Sequence, residues 1–500
     1  MLPLIFVLPD VNSIFLNKII SYNKIVFICY NIVKGDNMKL YNTLTRKIEE
    51  FVPHNKEEVT LYTCGPTVYH YAHIGNMRNY ISEDVLEKAL IYLEYNVKRC
   101  MNITDVGHLT SDSDSGDDKM LKGAKRENTT VLDIAKKYTE AFKKDCEKLN
   151  IKWPEIIVPA TTQIEEYIKI IEDLLNKGYA YKSEGNVYFD ITKLEDYYAL
   201  TNHKIDEMVV GVREGVKEDK AKKNQGDFAL WFTKSKFDGQ ELKWDSPFGT
   251  GYPGWHIECS AIAIKYLGEY LDIHCGGVDN IFPHHTNEIA QSESYLGHKW
   301  CNYWFHTEHL NDKKGKMSKS NGEFLTVDLL KEKGYNPLAF RYMCLSSHYR
   351  KGLEFDFNAL NNAKEAYNKL LSKIRNIKEE GDLEKDNFEN YNNQFKDALN
   401  NDLNTSLALT TIYDVIKANI SGKTKIELIK SFDKVLSLDL LKENKITEEE
   451  QKYIEEKIKE RNIAKLNKDY QKADKIRDEL LSKNIIIKDT KEGTTFEIQR

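Results

Sequence analysis

Two short segments carry the residue types that handle phosphate groups: His73-Ile-Gly-Asn76 and Lys316-Met-Ser-Lys-Ser320. An imidazole at a helix N-terminus can donate to a phosphate oxygen, beside backbone N–H groups that the helix leaves unpaired. Lys316 and Lys319 sit on a stretch flanked by Asn311 to Gly315 and by Asn321-Gly322, so both can approach the same anion from a loop. Phosphoryl chemistry needs positioning and charge neutralisation more than a side-chain nucleophile. A second set offers different chemistry. Cys64, Cys259, His284 and Glu288 supply two thiolates, an imidazole and a carboxylate, donors that suit zinc. His284 and Glu288 are four apart, hence on one face of a helix that Pro283 is well placed to open. Spacing alone leaves this set open: no CxxC pair joins it, and a single buried cysteine is ordinarily a small hydrophobe.

These groups need elements to hold them. Val59-Thr-Leu-Tyr-Thr-Cys64 alternates and is rich in β-formers, which predicts a strand ended by Gly65-Pro66. After His73 the apolar residues Ile81, Val85, Leu86, Ala89, Leu90 and Leu93 recur at helical spacing, and Asn96 to Thr104 reads as the next strand. A strand–turn–helix–strand unit predicts a parallel α/β sheet with its ligand at the strand-to-helix turn. Residues 130–180 are mostly helical in pattern, and Tyr179 to Asp190 predicts a strand pair around Gly185. The loop Gly107 to Asp118 holds Asp112, Asp114, Asp117 and Asp118 but lacks the glycine and distal glutamate of a calcium loop, so it reads as solvated. From Leu329 onward the pattern is nearly all helix, and no internal repeat is found.

Five hundred residues suggest roughly three domains. The net charge of −6 announces no global field for nucleic acid, although a local basic stripe suffices for phosphate contact. Eight scattered cysteines exclude a disulfide scaffold and suit the reducing cytoplasm. Leu2 to Leu8 is apolar but too short to span a bilayer, and no arginine precedes Arg46, so neither membrane anchoring nor export is expected. Met38 is the expected start of translation, with residues 1–37 an N-terminal extension.

The two phosphate-handling segments, in this order and with a strand before the first, resemble those of class I aminoacyl-tRNA synthetases. Tyr62-Thr-Cys-Gly-Pro-Thr-Val-Tyr69, Asn102-Ile-Thr-Asp105, Pro253-Gly-Trp-His-Ile-Glu-Cys-Ser260, Asp272-Ile-His-Cys-Gly-Gly277 and Phe282 to Gln291 are similar to cysteinyl-tRNA synthetases. The resemblance implies an α/β fold: a class I Rossmann-like catalytic domain over 38–310 with an insertion at about 160–243. A signature-loop and stem-contact region over 311–365 follows, then an all-helical anticodon-binding region over 366–500. It implies activation of L-cysteine by ATP, transfer to the 3′ end of a cysteine-accepting tRNA, and a cytoplasmic monomer with no membrane partner. One zinc ion per chain would be held by Cys64, Cys259, His284 and Glu288, and Mg²⁺ would accompany ATP. His73, Asn76, Lys316 and Lys319 carry over as catalytic, with Gly75 joining His73, Asn76 and Lys319 around ATP. Gly65, Thr104, Trp255 and His274 carry over as substrate contacts. The chemistry fits the substrate: a thiolate is a strong soft ligand for zinc and a serine hydroxyl is not, whereas an apolar pocket separates the two poorly.

Three departures stand out. Asn76 replaces the second histidine of the ATP signature, so an amide donates where an imidazolium could. Cys275 interrupts a glycine run, and Ala160-Thr-Thr-Gln163 replaces Ala-Thr-His-His. Toward the C-terminus, Asn400-Asn-Asp-Leu-Asn-Thr405 resembles the family's helix-opening turn. Ile463, Leu466, Tyr470, Ala473, Ile476 and Leu480 form an apolar stripe flanked by Arg461, Lys465, Lys468, Lys472, Lys475, Arg477 and Lys483, expected to contact tRNA near its anticodon. Two rival readings are a ligase that gives cysteine to a small amine and an RNA-binding relic without catalysis.

Overall fold

The computed structural model describes residues 38–106, 109–111, 115–201, 220–234, 242–312, 315–316, 324–442, 448–483, 485–490 and 493–498. The expected extension 1–37 and Lys319 lie outside the described residues, as do Asp112 and Asp114 of the acidic loop.

Five strands form one parallel sheet: β1 (Val59–Thr63), β2 (Val97–Ile103), β3 (Ile156–Pro159), β4 (Leu271–Gly277) and β5 (Cys301–Thr307), in the order β5-β4-β1-β2-β3. All neighbours pair in parallel. The chain lays β2 and β3 on one side of β1, then returns to lay β4 and β5 on the other. The strand order therefore reverses between β1 and β4, and in such sheets ligands bind outside the carboxyl ends of the strands at that point. Cys64 leaves the end of β1 there, and its N–H donates to the Cys275 carbonyl in β4 at 3.3 Å. The Cys275 side chain is fully buried in the core, away from that crevice.

Helix α1 (Ile74–Tyr92) follows β1 and is buried along most of its length. Its apolar residues pack on the sheet, and its charged ones meet buried partners. Arg99 of β2 pairs with Glu83 at 3.3 Å and Glu87 at 3.1 Å. Arg341, also fully buried, reaches Asp84 at 2.6 Å and the carbonyls of Leu149 and Leu436. The helix that carries the phosphate signature is thus welded at its middle to the helical region.

Between β3 and helix α2 (Trp255–Leu267) the chain forms a helix, Ile164–Asn176, and a four-stranded antiparallel sheet of Ala180–Ser183, Asn186–Phe189, Phe228–Phe232 and Tyr252–Pro253. Gly185, at φ 97°, makes the tight turn of its first hairpin. Helix α3 (Thr286–Leu296) precedes β5; extended backbone at Phe282 breaks the irregular turn Ile281–His285, so helical backbone resumes at Pro283. Residues 109–111 and 115–118 pair as a short hairpin in the acidic segment.

The region beyond Leu329 is mostly helical, including Pro337–Leu345, Phe357–Arg375, Lys385–Asn400, Thr405–Lys417 and Gly422–Leu436. It is not wholly so: the chain closes with an antiparallel hairpin, Ile485–Thr490 with Gly493–Ile498. β-Branched Ile485-Ile-Ile487 and Thr494-Thr-Phe496 favour strands on either side of that turn. The stripe from Ile463 to Leu480 is also interrupted. Glu448–Leu466 and Tyr470–Ser482 are two helices, separated where Lys468 turns left-handed and Asp469 caps the second. Ala473, Ile476 and Leu480 are buried, whereas Ile463, Leu466 and Tyr470 are 50%, 82% and 62% exposed.

Candidate active site

A cavity of about 1170 Å³ opens at the β1–β4 reversal. Its wall includes Cys64, Gly65, His73, Gly75, Asn76, Trp255 and His284. Thr104, Cys259, His274 and Glu288 are buried and do not reach the wall. Thr104 donates to Glu258 at 2.9 Å, and its backbone pairs with Thr67 just below the floor.

Gly65 is required by close approach. A Cβ there would lie 1.6 Å from the Asn102 carbonyl oxygen, while the Gly65 N–H donates to the Asn102 side chain at 2.8 Å. His73 is the N-cap of α1. Its Nδ1 accepts from the Gly75 N–H at 3.1 Å, which fixes the tautomer and leaves Nε2 as the donor. Asn76 Oδ1 accepts from the His73 N–H at 3.3 Å, completing a capping box and leaving the Asn76 amide NH₂ as its donor.

The first segment packs against the chain that follows the second. The Ile74 N–H donates to the Leu325 carbonyl at 3.0 Å, and the Phe324 ring stands 5.3 Å from the His73 ring. On the other side of the loop, Asn311 pairs with Lys316 in a backbone hairpin. The described chain thus resumes at Phe324 and Leu325, beside His73.

At the opposite end of the cavity, one donor atom each from Cys64, Cys259, His284 and Glu288 lies within 4.8 Å of the others. Ligands of a tetrahedral zinc ion stand about 3.3–3.8 Å apart, and the two sulfurs are 4.0 Å apart. Glu288 Oε2 accepts from His274 Nε2 at 2.8 Å. Glu288 Oε1 is 3.0 Å from His284 Nε2 yet has no aligned hydrogen-bond donor. An unaligned buried carboxylate oxygen among two thiols and an imidazole fits a metal ligand. A second set, Cys64, His274, His285 and Glu288, is equally close. It is less suited: His274 already serves the Glu288 carboxylate, and His285 has both nitrogens engaged, with His306 at 2.8 Å and Cys64 at 3.3 Å.

The electrostatics favour charge separation in this dry space. Burial pushes the Glu288 carboxyl up, but the His274 and His284 imidazoles outweigh it and hold it at about 2. Burial pushes His284 down, yet the Glu288 and Cys259 charges raise it to about 10. Burial drives the Cys64 thiol up; Cys259, which accepts its hydrogen bond and faces His284, is held below the ordinary thiol range. The pocket thus stabilises a thiolate and a carboxylate around one positive centre, a role a metal ion takes over directly. Trp255 stacks on His284 at 4.1 Å, and His256 Nδ1 sits 3.0 Å from His284 Nδ1.

Sequence reasoning missed His256, His285 and His306, which surround the donors, and Asp279 with His309, paired at 3.1 Å in the wall. These residues come together only through the sheet order; the one local signal was the doubled His284-His285.

Residues 50–365 match the model of the tRNA synthetases class I (C) catalytic domain, and residues 394–440 match the DALR domain. A cysteine–tRNA ligase of Treponema denticola is 43% identical over 494 residues, covering 92% of this chain and 99% of that protein. The chain belongs to the cysteine–tRNA ligase family. A cysteine–tRNA ligase of Borrelia garinii subsp. bavariensis is 44% identical, covering 91% of this chain and 98% of that protein. Among solved structures, methionyl-tRNA synthetase of Mycobacterium tuberculosis in complex with methionyl-adenylate aligns with a TM-score of 0.51 at 14% identity, over 77% of this chain and 91% of that one. That likeness is one of fold: the parallel sheet with its helices is the class I catalytic architecture, followed by a largely helical region. Gln163 is buried against Lys265 and Tyr266, outside the cavity wall.

Proposed function

We propose that the chain joins L-cysteine to a cysteine-accepting tRNA through the residues just described. The observation that carries this reading is one continuous cavity running from Cys64 and His284 to His73 and Asn76. The amino acid lies with its thiol toward Cys64, Cys259, His284 and Glu288, covered by Trp255. Its carboxylate then faces ATP laid along Gly75 and the N-terminus of α1. Carboxylate oxygen bonds to the α-phosphorus, and pyrophosphate leaves with the β- and γ-phosphates. A ribose hydroxyl of the tRNA terminus next attacks the adenylate carbonyl, and AMP leaves. His73 Nε2 and the Asn76 amide donate to phosphate oxygens, and Lys316 and Lys319 neutralise charge on the departing pyrophosphate, with Mg²⁺ bound to ATP. Zinc held by Cys64, Cys259, His284 and Glu288 would supply a soft Lewis acid that prefers a thiolate to a hydroxyl. Thr104 and His274 act from behind the wall, His274 by aiming the Glu288 carboxylate.

The helical region provides the RNA-facing surface, with exposed Leu466 and Tyr470 beside Lys465, Lys468 and Lys472 as its anticodon contact. Among the described residues no helix is long and apolar enough to cross a membrane; we place the enzyme in the cytoplasm as a monomer, which sedimentation would check. The functional test is charging of a cysteine tRNA transcript by the full chain, with cysteine-dependent pyrophosphate exchange alongside. Both reactions are expected. Exchange without charging would move the acceptor to a small amine, and neither reaction would leave only an RNA-binding protein.

A further inference from the structure

The turn Asn401–Thr405 lies in the helical region, yet its Asp402 is bonded to Tyr41 of the cavity wall. Asp402 is 2% exposed. Its N–H donates to the Lys39 carbonyl, and Asn401 forms a bridge with Lys39. Its Oδ1 accepts from the Tyr41 N–H at 2.8 Å and the Tyr349 hydroxyl at 2.6 Å; its Oδ2 accepts from Arg350 Nε at 2.6 Å. The Arg350 guanidinium covers the Tyr41 ring at 4.6 Å. Asp402 and Leu403 both hold left-handed backbone, at φ 54° each. Two successive non-glycine residues there are strained, and such strain persists only where surrounding contacts impose it.

What Asp402 grips leads to the amino-acid pocket. Tyr41 and Thr43 line the cavity. Between them, buried Asn42 is locked to β5: its Nδ2 donates to the Asn302 carbonyl and its Oδ1 accepts from the Trp304 N–H. Thr43 Oγ1 is 2.7 Å from His306 Nδ1; His306 Nε2 is 2.8 Å from His285 Nδ1; His285 Nε2 is 3.3 Å from Cys64 Sγ. Tyr349 contributes again through its carbonyl, which accepts from the N–H of Glu308 in the cavity wall.

We propose that Asp402, from the helical region, is a positioning residue for cysteine binding, acting through the strand Lys39–Asn42 and Thr43 on the histidines behind Cys64. The inference rests on the reading that cysteine binds against Cys64 and Cys259. The test uses pyrophosphate exchange by the full chain, a reaction that needs no tRNA. Asp402→Asn keeps the shape and tolerates left-handed backbone, removing the charge and turning one of the two accepting oxygens into a donor. Thr43→Val removes one hydroxyl at similar volume. The fraction of folded sites is fixed by stoichiometric adenylate formation. The expected result is an approximately tenfold rise in KM for cysteine with Asp402→Asn, an unchanged KM for ATP, and a smaller rise with Thr43→Val. The double variant should be no worse than Asp402→Asn alone, since both act on one route. A merely structural Asp402 would lower the melting temperature and the active fraction and leave KM for cysteine per active site untouched; that result overturns the proposal, as does simple multiplication of the two effects. Cys259→Ser is the control: if it leaves KM for cysteine unchanged, the pocket lies elsewhere and the proposal falls with the reading beneath it. If it shifts while Asp402→Asn does not, only the proposal falls.

Discussion

Two overlapping donor sets could hold the proposed ion, and removing Cys259 separates them. Cys64 and Glu288 belong to both, Cys259 and His284 to the first alone, and His274 and His285 to the second alone. A four-ligand zinc site binds with roughly 10–16 kcal/mol, so one ligand contributes about 2.5–4 kcal/mol. Losing it should weaken binding by about 100- to 1000-fold. A group that only touches a ligand typically costs about 10- to 100-fold. His285 is such a group in the first set, bonded to Cys64 Sγ. Cys259→Ser and His284→Asn should therefore cost more zinc affinity than His285→Gln. The assay is metal content by mass spectrometry after equilibration with a graded series of zinc buffers. A second readout is cobalt substitution, where thiolate-to-metal absorption scales with the number of sulfurs. Absorption should fall with Cys259→Ser and rise when L-cysteine, but not L-serine, is added to the wild type. If His285→Gln loses more zinc than Cys259→Ser, the first set is refuted and the second holds the ion.

Asn76→His should retain adenylation, with kcat for pyrophosphate exchange within about tenfold of wild type, because Gly75 and the N-cap still fix His73; a dead variant would show that the capping box depends on the amide. Arg341→Met takes from the buried Asp84 carboxylate one of its two cations, leaving Lys88 at 2.8 Å, and should cost about 3 kcal/mol in urea unfolding, the low end for a broken buried pair. Burial raises the Asp84 carboxyl, but Arg341 and Lys88 outweigh it and hold it below its ordinary value. Its contribution is thus present above the unfolded value near 4 and lost as pH falls through the lower folded value, so the stability gap between wild type and Asp84→Asn should shrink below about pH 4. Tyr470→Ala should weaken tRNA binding by about 1–3 kcal/mol without lowering the melting temperature, since the ring is exposed; unchanged affinity in a filter-binding assay would remove this helix turn from the RNA contact.

Local pattern carried the elements that position His73 and Asn76. The alternation of Val59–Thr63 and the helical recurrence from Ile81 to Leu90 arise within single elements, and both form where expected. Capping chemistry at His73 is local as well. What failed was long-range or competing. The stripe from Ile463 to Leu480 keeps helical spacing across a break, because spacing does not register that Asn467-Lys468-Asp469 prefers a turn and a cap. The closing hairpin escaped because a high proportion of lysine and glutamate in the region outweighed three successive isoleucines. The burial of the α1 charges has no local signal; they are buried because Arg99 and Arg341 reach them from elsewhere in the fold.

The Cys64 end of the cavity shows why a donor list understates a candidate metal site. Cys64, Cys259, His284 and Glu288 define what can bind an ion and largely set one another's protonation, but the imidazoles behind them fix where Cys64 sits. Burial, then the crowding of neighbouring imidazoles, keeps His285 far below the ordinary imidazole range, and His306 is held at about 3. Both therefore stay neutral, and a neutral imidazole can accept at one nitrogen while donating at the other, which joins Thr43 to Cys64 without adding charge. Gly276 belongs to the same logic. A Cβ there would lie 2.7 Å from His285 Cε1, so the glycine in β4 makes room for the ring. Cys275 beside it turns into the core and is tolerated, whereas a side chain at Gly276 would push His285 off Cys64. The glycine run at the end of β4 thus divides into one position that packing constrains loosely and one that the pocket requires, a distinction that lies in which face of the strand each residue presents.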